Sequence, residues 1–220
     1  MVDFDEVLTR VRLHHVLAAI SKAHYGLGAS ASSYCGTSAA GCYAFDRGDG
    51  SRCWASWSAV GVVLLAFDAM VDGAQQRIPA VRRDLSLVFD GVPPELSKLV
   101  AEVGAASEGL GSAGLWALRG GSTDGLGHVD GLGPFVGGEQ ESVRALTRFF
   151  SVAPKQAELA SDLAARAVGA TIVLTPAEVR ILRRPPRPES DMPEGQWRQA
   201  VEMLRSMRIY SSEADVPSED

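Results

Sequence analysis

The sequence predicts an α+β fold: one helix-rich domain with a small β-sheet or hairpin and a C-terminal helix that follows a Pro/Arg linker. Three observations favour this class. Several segments carry apolar residues at helical spacing, and two short aromatic segments flank an Asp-Gly turn. The composition is that of a globular protein, with 46% hydrophobic and 22% charged residues. A chain of 220 residues can bury a core without disulfide or metal crosslinks.

The first predicted element is a helix from Asp3 to about Tyr25. Asp3 is a suitable N-cap, the first turn is acidic, and apolar residues recur at helical spacing from Phe4 onward. The residues at 26–41 are small and show no periodicity. We therefore expect a loop there.

A β-hairpin is predicted next, with strands at 42–45 and 51–54 around the turn at 46–50. Between Trp54 and Val71 the apolar residues are too dense for periodicity to separate helix from strand. Because this run is longer than a typical strand, we expect a buried helix from about Ser56.

The remaining segments alternate between predicted helices and strands. Residues 85–89 resemble a strand, and Pro93 begins a helix that continues to about Ala106. About half of the 23 glycines lie at 104–138, which we interpret as a loop containing a short strand at 115–118. Further along, we predict helices at 139–150 and 153–168, a strand at 170–175, and a helix or strand at 176–182.

Prolines and arginines near the C-terminus predict the domain organisation. It consists of a compact domain at 1–182, a Pro/Arg linker at 183–192, a helix at 193–210 and an acidic disordered tail at 211–220. The C-terminal helix either packs back on its own domain or binds a partner in a groove. The candidate partner-binding residues are its apolar anchors and the nearby basic cluster: Trp197, Leu204, Ile209, Arg183 and Arg184.

Charge and composition exclude several classes of partner. The net charge of −6 disfavours nucleic acid and anionic membranes, which both attract a positive field. The longest apolar run, Ala59–Phe67, is shorter than the ~20 residues that a membrane helix needs. An acidic N-terminus and an odd number of cysteines predict a cytoplasmic protein. The absence of Asn and the scarcity of Lys indicate a GC-rich coding sequence of bacterial type.

One local pattern suggests chemistry. Cys53 is followed by Trp54 and Ala55 at the start of the predicted buried helix. A thiol at a helix N-terminus has a lowered pKa and forms the nucleophilic thiolate near neutral pH. The segment resembles the nucleophile segment of papain-like cysteine proteases. The resemblance covers about a dozen residues and implies a cysteine-dependent hydrolase or acyltransferase.

In that interpretation Cys53 is the nucleophile, His128 the base and Asp130, or alternatively Asp124, the orienting group. Two features depart from the family: Gly50 replaces its second cysteine, and its orienting Asn has no counterpart because the chain contains none. Cysteine is also among the most frequently buried residues, so Cys53 as a core residue is the competing interpretation.

No cofactor or metal is predicted. The three cysteines, Cys35, Cys42 and Cys53, lack the paired spacing of structural zinc sites. The function that we expect first is a non-enzymatic interaction protein, an accessory subunit or immunity-like binder, that acts on another protein. The alternative is the Cys53 thiol hydrolase. Neither the partner nor the oligomeric state follows from the sequence.

Overall fold

The computed structural model shows a single α+β domain, as the sequence predicted. It describes residues 2–25, 31–48, 50–67, 85–121, 124–126, 132–136, 138–184 and 193–212. The predicted tail lies outside these ranges except for residues 211 and 212, and so does the greater part of the predicted linker.

Helix α1 (Phe4–Tyr25) is the centre of the domain, and sixteen of its 22 residues are buried. Its N-terminus forms the predicted cap: Asp3 Oδ1 accepts from the Glu6 N–H at 2.9 Å, and a Glu6 carboxylate oxygen accepts from the Asp3 N–H at 3.2 Å. Because the helix is surrounded by other elements, its apolar residues are distributed around its circumference and are not confined to one face.

A six-stranded antiparallel sheet packs against this helix, with its strands in chain order. The strands are β1 (Ala31–Gly36), β2 (Gly41–Asp46), β3 (Arg52–Trp57), β4 (Gly61–Phe67), β5 (Ala113–Leu118) and β6 (Asp124–Leu126). The predicted hairpin is confirmed as β2 and β3, and the predicted strand at 115–118 is part of β5.

Two predictions in this region are wrong. The expected loop at 26–41 contains β1, a strand whose small residues pair with β2. The expected helix from Ser56 is instead the end of β3, a tight turn in which the Ser58 N–H donates to the Gly61 carbonyl, and β4. Strand β4 is buried on both faces, which removes the alternation that normally identifies a strand.

Helices cover the two sides of the sheet. The strand-like segment at 85–89 forms the short helix α2 (Leu85–Val88), so that prediction is wrong, and α3 (Ser97–Ala106) follows a 3-10 turn. Both lie on one side, the α3 face, where they bury Trp54, Val63 and Leu65. On the other side, the α1 face, five further helices contact α1: α4 (Gly133–Val136), α5 (Glu139–Phe150), α6 (Pro154–Arg166), α7 (Pro176–Arg183) and α8 (Glu194–Arg205).

The C-terminal helix α8 packs against α1 and shares its core. Residue 209 begins the strand β8 (Ile209–Tyr210) rather than ending a helix, and it pairs in parallel with β7 (Ile172–Val173). The C-terminal helix therefore packs back on its own domain, the first of the two arrangements that the sequence left open.

Candidate functional site

Cys53 lies in the middle of the sheet and not at a helix N-terminus. It is in β3, between Phe45 of β2 and Ala66 of β4, and only 7% of its surface is exposed. Burial raises the pKa of its thiol to about 12. The predicted lowering of the pKa by a helix dipole is therefore wrong, and the thiol is protonated at neutral pH. His128 and Asp130, the other two members of the predicted triad, lie outside the described residues.

A buried polar cluster lies on the α1 face near this strand. It consists of the buried residues His14 and His15 from α1 and Tyr43 from β2, together with the half-buried Ser32 from β1. His14 Nδ1 is 2.5 Å from the Tyr43 hydroxyl, and His15 Nδ1 is 2.7 Å from the Ser32 hydroxyl. The two hydroxyl oxygens are 3.4 Å apart, so the four side chains form one chain of polar contacts.

The second nitrogen of His15 fixes its tautomer. Nε2 is 2.9 Å from the Met203 carbonyl oxygen, which can only accept. Nε2 therefore carries the hydrogen, and Nδ1 accepts from the Ser32 hydroxyl. A serine that donates to a neutral imidazole is the arrangement of a nucleophile and its base.

Burial opposes the use of these imidazoles as bases. Desolvation lowers the pKa of His14 to about 3, with a smaller contribution from His15, and lowers the pKa of His15 to about 4. The His14 ring lies among aromatic rings, with centroids 4.7 Å from Phe45, 4.8 Å from Phe150 and 5.7 Å from Phe135. The cluster therefore holds α1 against the β1–β2 hairpin. Its imidazoles are weak bases, and aromatic rings pack around His14.

The sequence did not reveal this cluster, because Ser32 was assigned to a loop and its partner His15 lies on the first helix. Alternation within β1 could have indicated it. Ser32 and Tyr34 point to one side of the strand and are more buried than Ser33 and Cys35, which point to the other.

The α3 face of the sheet is only partly covered. Helix α3 lies over β3 and β4, whereas the first two strands leave most of their side chains on this face in contact with solvent. We call this region the uncovered hairpin face and define it by Ser33, Cys35, Cys42 and Ala44. The first three residues are exposed and Ala44 is half-buried.

A shallow cleft of about 270 Å³ lies beside the uncovered hairpin face. It is bounded by Ser33 and Ala44, by Trp54 of β3 and by Ala106 at the end of α3. An ion pair between Arg52 and Asp46, at 2.8 Å, contributes two further lining residues. The cleft offers a small apolar floor at the edge of the domain.

The predicted partner-binding residues of the C-terminal segment are used within the domain. Trp197, Leu204 and Ile209 are buried in the core around α1, so they present no surface to a partner. Arg183 forms a 2.7 Å ion pair with Glu194 and lies over the Trp197 ring, with 5.6 Å between its guanidinium carbon and the ring centroid. Arg184, which follows α7, is exposed.

In the described part of the chain, no group of three or more His, Cys, Asp or Glu side chains is arranged to hold a metal ion. Among the helices in the same ranges, none has the length and apolar character needed to cross a bilayer. No protein-family model, curated protein or solved structure gives a significant match to the chain.

Proposed function

We propose that this chain is a non-enzymatic interaction protein that binds another protein through the uncovered hairpin face and the outer edge of β1, which pairs with no further strand among the described residues. The observation that supports the proposal is the contrast within the α3 face. Strands β3 and β4 are covered there, whereas Ser33, Cys35 and Cys42 of the hairpin are exposed and Ala44 alone of the four packs against the covered core. From the sequence, we propose more specifically that it is an accessory subunit or an immunity-like binder in a bacterial cytoplasm.

The backbone of β1 favours an extended partner segment. The Thr37 N–H donates to the Ala40 carbonyl at 2.9 Å, which sets the alternation of hydrogen bonds along the hairpin. The backbone groups of Ser33 and Cys35 then point to β2, and those of Ser32 and Tyr34 point away from the sheet. An edge of this kind accepts a further strand through main-chain hydrogen bonds.

The charge of the chain favours a cationic segment. With a net charge of −6, the chain as a whole attracts positive partners and repels acidic ones. The cleft beside Ser33 is large enough for one side chain of such a segment, and the Trp54 ring supplies its apolar contact. The proposed ligand is therefore an extended, basic segment of another protein.

Photo-crosslinking in the source cells tests this proposal. A photoreactive amino acid at position 33 is expected to crosslink to one defined protein, whereas the same group at the exposed position 140 on α5 does not. The crosslinked segment is then synthesised and titrated against purified variants. We expect Ser33→Lys to weaken binding at least tenfold and the matched control Gln140→Lys to leave it unchanged. Equal crosslinking at the two positions, no crosslink at either, or equal effects of the two substitutions would contradict the proposal.

The thiol hydrolase is the second candidate, and it rests on the sequence resemblance at Cys53 alone. The burial and the high pKa of that thiol count against it. Reactivity of Cys53 in the native protein would restore this candidate.

A further inference from the structure

Two cysteines lie directly opposite each other on the uncovered hairpin face. Cys35 of β1 pairs with Cys42 of β2 in the antiparallel register, and both residues are exposed. In the structure no disulfide joins them. The third cysteine, Cys53, is buried and points to the opposite side of the sheet.

The register places the two α-carbons at a distance that a disulfide can span. Because the Thr37 N–H donates to the Ala40 carbonyl, the pair two steps along the hairpin, Cys35 and Cys42, is also of the hydrogen-bonded type. The α-carbons of such pairs are about 5.5 Å apart. Disulfides join α-carbons separated by roughly 4.4–6.8 Å, so the α-carbon separation is suitable. The β-carbons of opposite residues lie roughly 4.5–5.5 Å apart, and a small local adjustment brings them to the roughly 3.5–4.5 Å that the bond needs.

The turn that connects the two cysteines is held in place by side chains from other strands. The indole N–H of Trp57 donates to the Thr37 carbonyl at 2.7 Å, and a guanidinium N–H of Arg119 donates to the Ser38 carbonyl at 3.2 Å. The Trp57 ring also packs on Gly41, where a Cβ atom would overlap it. These contacts keep the two thiols adjacent and raise their effective concentration toward each other.

We propose that Cys35 and Cys42 form a reversible disulfide by exchange with a low-molecular-mass disulfide such as oxidised glutathione. One cysteine loses its proton and attacks a sulfur of the oxidant, which forms a mixed disulfide and releases one thiolate. The second cysteine loses its proton and attacks the protein sulfur of that mixed disulfide, which releases the second thiolate. Both thiolates take up the protons, so one disulfide is reduced to two thiols while the protein dithiol is oxidised.

The surroundings of Cys42 indicate the order of the two attacks. Burial, the neighbouring Cys35 and the carboxylate of Glu102 raise the pKa of Cys42. Cys35 is therefore expected to attack the oxidant first. The product covalently locks the register at the turn end of the hairpin. This inference rests on the geometry of β1 and β2 and does not depend on the proposed partner.

Equilibration of the purified chain in glutathione redox buffers tests the proposal. After the remaining thiols are blocked, trypsin releases both cysteines in one peptide, 23–47, and Cys53 in a separate peptide. We expect peptide 23–47 to lose two hydrogens while Cys53 stays reduced. Cys35→Ser and Cys42→Ser are each expected to accumulate a glutathione adduct on the remaining thiol, at least tenfold more than the unsubstituted chain. Glu102→Gln is expected to speed disulfide formation severalfold.

Three results would overturn the inference. They are stable glutathione adducts in the unsubstituted chain at the level of the single variants, disulfides between chains in place of the internal one, and resistance of peptide 23–47 to oxidation under all buffers. Circular dichroism of each variant separates these outcomes from loss of the fold.

Discussion

The two faces of the β1–β2 hairpin belong to the same twelve strand residues but have opposite chemical character. On the α1 face, Tyr43 and Phe45 are buried and the hydroxyl of Tyr43 contacts an imidazole. On the α3 face, Cys35 and Cys42 are exposed and lie opposite each other in the register. Successive side chains of a strand point to opposite sides of the sheet. Adjacent residues can therefore differ in role, one packing in the core and the next being exposed for binding or modification.

The largest expected effect comes from a pair of neighbouring residues in β2. Tyr43→Ala removes a buried ring and is expected to lower the free energy of unfolding by about 3–5 kcal/mol. Cys42→Ala, on the other face, is expected to change it by less than about 0.5 kcal/mol. Chemical denaturation measures both. Similar decreases in the free energy of unfolding for the two variants would show that the two faces do not differ in their contribution to stability.

A smaller effect is expected from acidification. The folded state keeps His14 and His15 neutral, with pKa values of about 3 and about 4, whereas an unfolded histidine has a pKa of about 6.5. Above pH 6.5 both states are neutral and these shifts do not affect stability. As the pH falls below 6.5, the unfolded state binds protons that the folded state does not, and the free energy of unfolding decreases. At pH 5 the loss is about 2 kcal/mol per histidine, since one pKa unit corresponds to about 1.4 kcal/mol.

Urea unfolding between pH 5 and pH 7.5 checks this prediction. The unsubstituted chain is expected to lose stability toward pH 5, and His15→Gln is expected to reduce that pH dependence because one of the two buried imidazoles is gone. A stability that is the same at pH 5 and pH 7.5 would show that the two histidines take up protons as readily in the folded state as in the unfolded state, which contradicts their lowered pKa values.

Several elements could be predicted from the sequence because their signals are local. Asp3 caps α1, and Pro154 lies in the first turn of α6, where proline is tolerated. The Asp-Gly turn between β2 and β3 is equally local. By contrast, β1 and β4 depend on long-range pairing. The residues of β1 are mostly small and those of β4 are uniformly apolar, so neither segment shows the alternation that indicates a strand. They form strands because the neighbouring strands pair with them and the helices pack on them.

The candidate site was harder to predict for the same reason. The buried polar cluster joins His15 to Ser32 of β1 and to the Met203 carbonyl near the end of α8, and no sequence spacing predicts contacts between three such distant segments. The pairing of Cys35 with Cys42 required the register of a strand that was assigned to a loop. The apolar character of Trp197, Leu204 and Ile209 predicted that the C-terminal segment packs against another surface. That surface is the core that includes α1.

Site-resolved alkylation of the reduced, native chain across pH measures how accessible the thiols on the two faces of the sheet are. The contrast between the two faces predicts that Cys35 and Cys42 are labelled in the native protein, and that Cys53 is labelled only after unfolding. Rapid native labelling of Cys53, with an apparent pKa below the free value of about 8.5, would contradict this account and favour the thiol hydrolase.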